Sequence, residues 1–269
     1  MAGNQSLQRG LLILQLLDQE RTPLGVREIA RRLDLSPPIV QRLINTLFEQ
    51  DFVVQDADSS KYRLSYRVFT LGSFLLKEDE LIVSALRELR RLADRHQLNG
   101  FLGANSDERL IYLLAVQSSG PIAIRTVPGA SADYHSTAMG KVMLSGLSDT
   151  QLRARLDGTS LPPLTPHTIT DPDLLMDEIV AAREAGFAVS KEENLLGILA
   201  VAAPIRDKSG QIVAAMSAAF APTMLPQQTL SAVAAMVMEA AAEVSSGLGY
   251  QDSHGSRQAV GKSVHGDAA

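Results

Sequence analysis

The stretch REIARRLDLSPPIVQRLINTL, from Arg27 to Leu47, decides how the N-terminal part of this chain folds. Its apolar residues recur at helical spacing, which predicts one helix over residues 26–34 and a second from residue 37 to about residue 50. Ser36 is a good N-cap residue, and Pro37 suits the first helical position because the amide hydrogen that it lacks has no partner there. The stretch therefore predicts two helices joined by a tight turn.

Elements on both sides extend this pair to a winged helix-turn-helix. Leucines at helical spacing over residues 7–17 predict a first helix. Residues 52–55 and 62–64 predict two short strands, and the polar segment between them predicts a hairpin. A three-helix unit alone also occurs in protein-interaction modules, whereas the added wing favours DNA binding. We therefore expect a winged helix-turn-helix domain over residues 1–65.

The outward face of the third helix suits the reading of base edges. Gln and Asn side chains pair bidentately with adenine and Arg pairs with guanine, and no acidic residue occurs between Leu35 and Phe48. Arg27 or Arg31 on the preceding helix, Ser36 in the turn and the wing residues are expected to contact the backbone of the duplex. The predicted DNA contacts are Arg27, Ser36, Pro38, Gln41, Arg42, Asn45, Thr46, Lys61 and Arg63.

The remaining pattern predicts a second domain of mixed strands and helices. Residues 66–96 predict a nearly continuous helix that Gly72 weakens, and its first part, residues 66–80, is the expected linker helix. Strands are predicted at 100–105, 109–117, 122–127, 187–191, 196–206 and 212–220, and helices at 137–146, 170–186 and 227–244. The chain is thus predicted to be α+β, with the second domain over residues 81–245. The polar residues 246–269 are predicted to be a disordered tail.

Composition limits the functional classes. The chain has 269 residues, 45% of them hydrophobic, and no cysteine, which excludes disulfides and thiolate metal sites. The net charge of −5 argues against a uniformly basic surface, but specific DNA binding needs only one basic face. The longest apolar runs are shorter than the ~20 residues of a membrane span, and no signal sequence precedes them. We expect a cytoplasmic protein.

No residue pattern in the sequence supports catalysis. Asp133, His135 and Ser136 are neighbours in sequence, but such neighbours do not face one another on a helix, and no G-x-S-x-G motif occurs. His135 is better explained as a helix-entry residue, and Ser136 or Thr137 as the cap of that helix. A solvated turn explains Glu192 and Glu193, and the histidines lack metal-ligand spacing. We therefore predict no enzyme, no metal and no cofactor.

Several separated motifs resemble the IclR family of transcription regulators. They are SLQRGL (Ser6–Leu11), the Arg27–Leu47 stretch, KYRL (Lys61–Leu64) before Leu71 and Gly72, YHSTAMGK (Tyr134–Lys141), GFAVSKEE (Gly186–Glu193) and AVAAPIRD (Ala200–Asp207). Arg206 departs from the family pattern, which prefers an aromatic residue or His there. The resemblance spans residues 6–245.

The resemblance implies a GAF-like α/β effector-binding domain with a curved antiparallel sheet. It places a small-molecule effector against Ala138, Met139, Ser190, Ala200, Ser217 and Ala219. Family members that sense small acids tend to have an Asp, a Cys and two Ser at four of these positions, where this chain has Ser190, Ala200, Ser217 and Ala219. Because alanine removes hydrogen-bonding groups and leaves an apolar wall, we expect an aromatic or partly apolar carboxylate of catabolism.

The resemblance also implies a double-stranded DNA operator and a homodimer or homotetramer as partners. The alternative that the sequence leaves open is a non-regulatory small-molecule-binding domain joined to a winged helix that serves protein interaction.

Overall fold

The computed structural model describes residues 4–74, 78–106 and 109–251. The chain divides into two compact units between Glu78 and Asp79. The first is a winged helix-turn-helix and the second is built on an antiparallel sheet, so the predicted α+β class is confirmed. Within the residues that the structure describes, no helix is long and apolar enough to cross a membrane.

Three helices and a hairpin form the winged helix-turn-helix of the N-terminal unit. They are α1 (Gln5–Glu20), α2 (Val26–Arg32), α3 (Pro37–Glu49), β1 (Val53–Gln55) and β2 (Tyr62–Leu64). Helix α1 begins earlier than predicted because the Asn4 side chain accepts a hydrogen bond from the amide of Leu7 at 3.1 Å. The apolar faces of the helices meet in one core, whose fully buried members include Ile13, Ile29, Val40 and Ile44.

The hairpin is attached to the helices through the chain before α2. Strands β1 and β2 pair antiparallel, with Val54 opposite Arg63. Leu24 and Tyr62 exchange two backbone hydrogen bonds of 2.9 Å, which adds a short bridge on the outer side of β2. The wing is therefore fixed to the helical core rather than extended freely.

Within the described residues, the helix predicted over residues 66–96 is interrupted at Asp79. Helix α4 covers Tyr66–Ser73 and α5 covers Glu80–His96. The Asp79 carboxylate accepts a hydrogen bond from the amide of Ile82 at 3.2 Å and begins a new helix, as an N-cap does. Of the predicted linker helix 66–80, residues 75–77 lie outside the described residues.

The C-terminal unit contains a six-stranded antiparallel sheet with strand order β5-β4-β3-β8-β7-β6. Its strands are β3 (Asn99–Ser106), β4 (Arg109–Val116), β5 (Ser131–Ala132), β6 (Ala188–Lys191), β7 (Leu199–Arg206) and β8 (Ile212–Phe220). Its helices besides α5 are α6 (Ala138–Ser145), α7 (Asp149–Leu156), α8 (Pro172–Ala185) and α9 (Leu230–Gly247).

Helices cover both faces of this sheet. On β8, Ala214, Met216 and Phe220 pack with α5 and α9 in the larger core. The alternate residues Ala215 and Ala219 face the core that contains α6. Both faces are therefore apolar, which explains the continuous hydrophobic runs of β7 and β8. The small side chains on the α6 face leave room for the cavity described below.

Three predictions for this unit need correction. Residues 122–127 do not form a strand, because their backbone bonds to the Asn99 side chain and β5 occupies the edge of the sheet beside β4. Helix α7 was not predicted, although its Ser148–Gln151 capping box is visible in the sequence. Helix α9 continues to Gly247, and residues 252–269 of the predicted disordered tail lie outside the described residues.

Candidate DNA interface and ligand cavity

Helix α3 presents the predicted base-reading residues to solvent. Val40, Leu43 and Ile44 are buried against the other helices. The predicted residues Pro38, Gln41, Arg42, Asn45 and Thr46 are all exposed on this helix, as are Pro37, Phe48 and Glu49. The periodicity of the sequence therefore separates core from surface on this helix as predicted.

Two hydrogen bonds order this face. The Gln41 amide nitrogen donates to Asn45 Oδ1 at 2.8 Å, and the Thr46 hydroxyl donates to the carbonyl of Arg42 at 3.2 Å. The Arg42 guanidinium makes no ion pair within the described part of the chain. The face thus offers a fixed pair of amides beside a cation that is available to a partner.

The predicted backbone contacts are also exposed. Arg27 lies on α2, Ser36 precedes α3, and Lys61 and Arg63 lie in the hairpin. The Ser36 hydroxyl forms no capping hydrogen bond. By contrast, Arg32 is held in ion pairs with Glu20 and Glu28, which assigns it to the structure of the unit rather than to a ligand.

A cavity of about 290 Å³ lies in the C-terminal unit between the sheet, the start of α6 and two loops. All six residues predicted to contact the effector line it: Ala138, Met139, Ser190, Ala200, Ser217 and Ala219. Its volume is near the lower end of the range for small-molecule pockets, which is about 300–1,000 Å³. The predicted residues are thus brought together around one space.

Aromatic side chains from β3 and β4 form one wall. The rings of Phe101 and Tyr112 meet edge to face, with their centroids 5.7 Å apart. Burial, and in a smaller measure the nearby Asp133 carboxylate, raises the pKa of the Tyr112 phenol above its usual range. This hydroxyl is therefore neutral at physiological pH, and the wall is apolar with one hydrogen-bonding group.

The start of α6 lies close against the preceding turn. The Thr137 hydroxyl accepts a hydrogen bond from the amide of Gly140 at 3.0 Å and donates one to the carbonyl of Asp133 at 2.6 Å. A Cβ at Gly140 would overlap the backbone of Tyr134 and come within 2.6 Å of the Asp133 carbonyl oxygen. The backbone dihedrals of Gly140 are ordinary for any residue. Glycine is required here because the preceding backbone lies too close to leave room for a Cβ atom.

A second cavity of about 560 Å³ is larger but more open to solvent. It shares Ser131, Ala132 and Asp133 with the first cavity, and His135 and Arg155 lie in its wall. None of the six predicted effector residues lines it. We therefore take the smaller and more enclosed cavity as the candidate ligand site.

Comparisons with known proteins agree with this architecture. The family model described as IclR helix-turn-helix domain matches residues 6–57, and the model described as Bacterial transcriptional regulator IclR C-terminal matches residues 73–246. The chain belongs to the IclR family. It is a DNA-binding transcriptional regulator of the IclR type.

Individual relatives support the assignment to the IclR family. The HTH-type transcriptional regulator KdgR of Escherichia coli is 30% identical over 240 residues, which cover 89% of this chain and 91% of KdgR. A crystal structure of an IclR regulator from Alicyclobacillus acidocaldarius is 25% identical with a TM-score of 0.82, over 92% of this chain and all of the other. An IclR homologue from Microbacterium hydrocarbonoxydans, crystallised with 4-hydroxybenzoate, shares the fold at 22% identity and a TM-score of 0.79 over 90% of this chain and 98% of its own.

One IclR-type motif has a different environment from the one predicted. The interpretation of Glu192 and Glu193 as a solvated turn is wrong for Glu193, which is buried and accepts a hydrogen bond from the Lys141 ammonium at 2.8 Å. Glu192 does lie in the turn, where its carboxylate accepts a hydrogen bond from the amide of Gly197. The second acidic residue was missed because its partner lies 52 residues away in sequence.

The residues that suggested catalysis do not form a catalytic arrangement in this IclR-family domain. The His135 ring bonds to the carbonyl of Pro162 at 2.9 Å, whereas the Ser136 hydroxyl donates to Asn194 at 3.2 Å. Thr137 caps α6, which matches the prediction that Ser136 or Thr137 is the cap. These residues therefore serve the structure of the helix entry, and the named relatives are regulators.

Sequence reasoning missed several residues of the ligand cavity. Phe101, Tyr112, Ile124, Arg125, Asn194 and Ile198 also line it. Phe101 and Tyr112 lie on strands that were predicted, so their alternation could have placed them on the inner face. Arg125 lies in the segment wrongly predicted as a strand, and no local signal marks it.

Proposed function

We propose that this IclR-type regulator binds an operator through α3 and the wing, and that a small-molecule effector in the 290 Å³ cavity controls this binding. The proposal for the operator concerns the nine DNA contacts predicted from the sequence. The support for it is the exposure of the polar face of α3 beside a rigid core. The place of action proposed for such a regulator is the cytoplasm.

We further propose an effector that is an aromatic or partly apolar carboxylate of catabolism. The observation that carries this proposal is the wall of Phe101, Met139 and Ile198, which offers a ring or chain an apolar surface. Ala200 and Ala219 have small side chains, which leave space in the cavity and offer the ligand no hydrogen-bonding group. A homologue with this fold was crystallised in complex with 4-hydroxybenzoate, which supports the proposal of an aromatic acid.

A thermal-shift screen tests the class of effector. Aromatic monocarboxylates such as benzoate and phenylacetate should raise the Tm, because a ligand that binds the native state stabilises it by mass action. Two-carbon acids, which leave most of the apolar wall uncovered, should not. Stabilisation by the two-carbon acids alone would contradict the proposal.

Self-association is proposed from the surface of the N-terminal unit. Helix α4 has no buried residue, and its Tyr66 and Phe69 are 83% and 67% exposed. Exposed apolar patches mark interaction sites, and symmetric operators are read by symmetric dimers. We propose a homodimer or homotetramer in which α4 contributes to the contact. Sedimentation velocity on a Phe69→Ser variant should show a smaller species than the unsubstituted protein.

Control by the effector requires linkage between the two units. The protein must have one arrangement that binds DNA and another that does not, and the effector must bind one of them more tightly. An effector with equal affinity for both would leave the equilibrium between them unchanged. Residues 66–80 join the units and are the proposed transmitter. Gel retardation on the upstream region of the protein's own gene, with and without the stabilising acid, should show a change of affinity.

A further inference from the structure

We propose that Gln41 and Asn45 recognise one base pair of the operator as a unit, in which Gln41 contacts an adenine in the major groove and Asn45 fixes the orientation of the Gln41 amide. This inference rests on the proposed binding of an operator through α3. It goes beyond that proposal because it names the recognised base and makes Gln41 the reader and Asn45 a positioning residue. The observation behind it is the hydrogen bond between the two side chains.

The hydrogen bond between the two amides has a defined direction. Gln41 Nε2 donates to Asn45 Oδ1 at 2.8 Å, one helical turn further along α3. If the Gln41 amide turned by 180°, its oxygen would face Asn45 Oδ1, and two acceptors cannot bond to each other. An isolated, exposed glutamine can exchange its donor and acceptor ends freely, whereas this pair fixes which end of the Gln41 amide is which.

The atoms that remain free on Gln41 match adenine. Adenine presents the N7 acceptor and the N6 donor in the major groove, so its reader needs one donor and one acceptor. Gln41 has one oxygen and two N–H groups, of which one N–H is bonded to Asn45. Its oxygen and second N–H form no hydrogen bond with any described residue. Guanine presents two acceptors, N7 and O6, and would need both N–H groups. The bond to Asn45 therefore favours adenine over guanine.

Asn45 is less suited to be the reader itself. To pair bidentately with adenine, Asn45 would need its Oδ1 for the N6 donor, and this oxygen already accepts the bond from Gln41. Asn45 is also the ninth residue of α3, whereas Gln41 is the fifth. The N-terminal residues of a recognition helix are the ones that contact base edges. These two facts assign the base contact to Gln41.

The packing of α3 holds the pair in place. Val40 and Ile44, which precede Gln41 and Asn45 in sequence, are 0% exposed and fix the rotation of the helix on its core. The spacing of four residues puts both amides on the same outward face, close enough to bond. The side chains are thus ordered before DNA binds, which reduces the conformational entropy lost on binding.

The test uses the full chain and a defined duplex. The unsubstituted protein first selects its preferred sequence from a library of duplexes with a randomised centre of about 20 base pairs, enough for two half-sites one helical turn apart. Each base pair of that sequence is then replaced in turn. Fluorescence anisotropy gives the affinity of every duplex for the unsubstituted protein and for each variant.

Gln41→Ala should remove the preference for adenine at one position of each half-site. A bidentate contact discriminates against a wrong base by about fivefold to a hundredfold, and this factor should be lost. Replacing that adenine by 7-deazaadenine, which lacks the N7 acceptor, should weaken binding of the unsubstituted protein. The same replacement should not change the affinity of Gln41→Ala, because its contact to N7 is already absent.

Asn45→Ala should change the preference at the same position in a particular way. Without Asn45 both N–H groups of Gln41 are free, and the amide can donate both to guanine. The preference for adenine over guanine should therefore fall about twofold to tenfold, as expected for one neutral hydrogen bond. The preference for adenine over thymine should change less. A general loosening of α3 would instead lower both preferences alike.

Two further variants test that Asn45 acts through Gln41. Asn45→Asp keeps an acceptor for the Gln41 amide, so it should retain the preference for adenine over guanine, although its negative charge weakens binding to every duplex. In the double variant Gln41→Ala/Asn45→Ala, the loss of selectivity should equal that of Gln41→Ala alone. Independent readers would give losses that add.

Gln19→Ala is the matched control. Gln19 is an exposed glutamine of the same unit, on α1, and is not among the predicted DNA contacts. Its removal should leave the base preferences unchanged. A loss of adenine preference in Gln19→Ala as large as that in Gln41→Ala would overturn the inference.

The outcomes separate this inference from the proposed function. If the unsubstituted protein selects no sequence from the library, the proposed operator binding is wrong, and this inference falls with it. If a sequence is selected but Gln41→Ala and Asn45→Ala alter the preference at different base pairs, the two residues read independently. That result would overturn the inference while the proposed function stands.

Discussion

The ammonium group of Lys141 lies 2.8 Å from a carboxylate oxygen of Glu193, and the two side chains are 0% and 7% exposed. Lys141 belongs to α6, which supplies Ala138 and Met139 to the cavity, and Glu193 begins the loop that supplies Asn194. The Lys141 ammonium also donates to the carbonyl of Val189 at 3.1 Å. This buried ion pair therefore links α6 to the loop that contains Asn194, and both of these elements line the ligand cavity.

Removal of one partner should destabilise the domain strongly. Lys141→Met leaves the Glu193 carboxylate buried without a cation, and such changes lower the free energy of unfolding by about 3–5 kcal/mol. The second Glu193 oxygen already lacks a hydrogen-bond partner, so the amide of Lys191, which donates to the first oxygen at 3.1 Å, would be the one contact left to the carboxylate among the described residues. Urea denaturation followed by circular dichroism should show the decrease.

The exposed pair Arg153–Asp173 provides the comparison, since its side chains are 50% and 77% exposed. Arg153→Met should change the free energy of unfolding by no more than about 1 kcal/mol, as expected for a surface ion pair. The double variant Lys141→Met/Glu193→Gln should be more stable than Lys141→Met alone. Equal destabilisation by Lys141→Met and Arg153→Met would contradict the prediction, because it would show that loss of the buried pair costs no more stability than loss of the exposed one.

Arg42 is predicted to contribute to sequence selectivity on the operator. If its guanidinium pairs with a guanine, Arg42→Ala should weaken operator binding by about 1–3 kcal/mol and leave binding to random DNA nearly unchanged. Fluorescence anisotropy at two salt concentrations measures both affinities. Arg90→Ala, in the other unit, is the control. An equal loss on operator and random DNA would make Arg42 a phosphate contact instead.

The sequence was sufficient where the local pattern controls the structure. On α3, helical periodicity separates buried Val40 and Ile44 from exposed Gln41 and Arg42, because one face of a short helix packs on one core. The start and end of α8 were likewise predicted closely, since its caps Asp171 and Gly186 act through neighbouring backbone atoms. Such features depend on residues within about one helical turn.

The sequence was insufficient where distant residues replace a local interaction. The alternation of residues 122–127 predicts a strand, yet the Asn99 side chain takes the hydrogen bonds that a neighbouring strand would supply. Glu193 was interpreted as solvated because nothing near it in sequence reveals Lys141. Both errors concern the cavity, where chain segments from several elements meet and side-chain contacts decide the conformation.

Gly140 is predicted to tolerate no side chain. Gly140→Ala would place a Cβ against the backbone of Tyr134, which cannot move without shifting the start of α6. Overpacking of this kind lowers the free energy of unfolding by about 1–3 kcal/mol. Gly72→Ala in α4 is the control, because a Cβ there meets no atom within 4 Å. That substitution should stabilise α4 by about 0.5–1 kcal/mol, so the two alanines should shift the Tm in opposite directions.

Filling the ligand cavity should remove effector binding while DNA binding remains. Ala200 lines the cavity on β7, and an Ala200→Phe substitution places a ring where the ligand body is proposed to lie. An aromatic acid that raises the Tm of the unsubstituted protein should then give no shift. Operator affinity without the acid should be unchanged, because α3 and the wing belong to the other unit. Ala235→Phe, at an exposed position of α9, controls for the added ring. A full thermal shift in Ala200→Phe would place the effector outside this cavity.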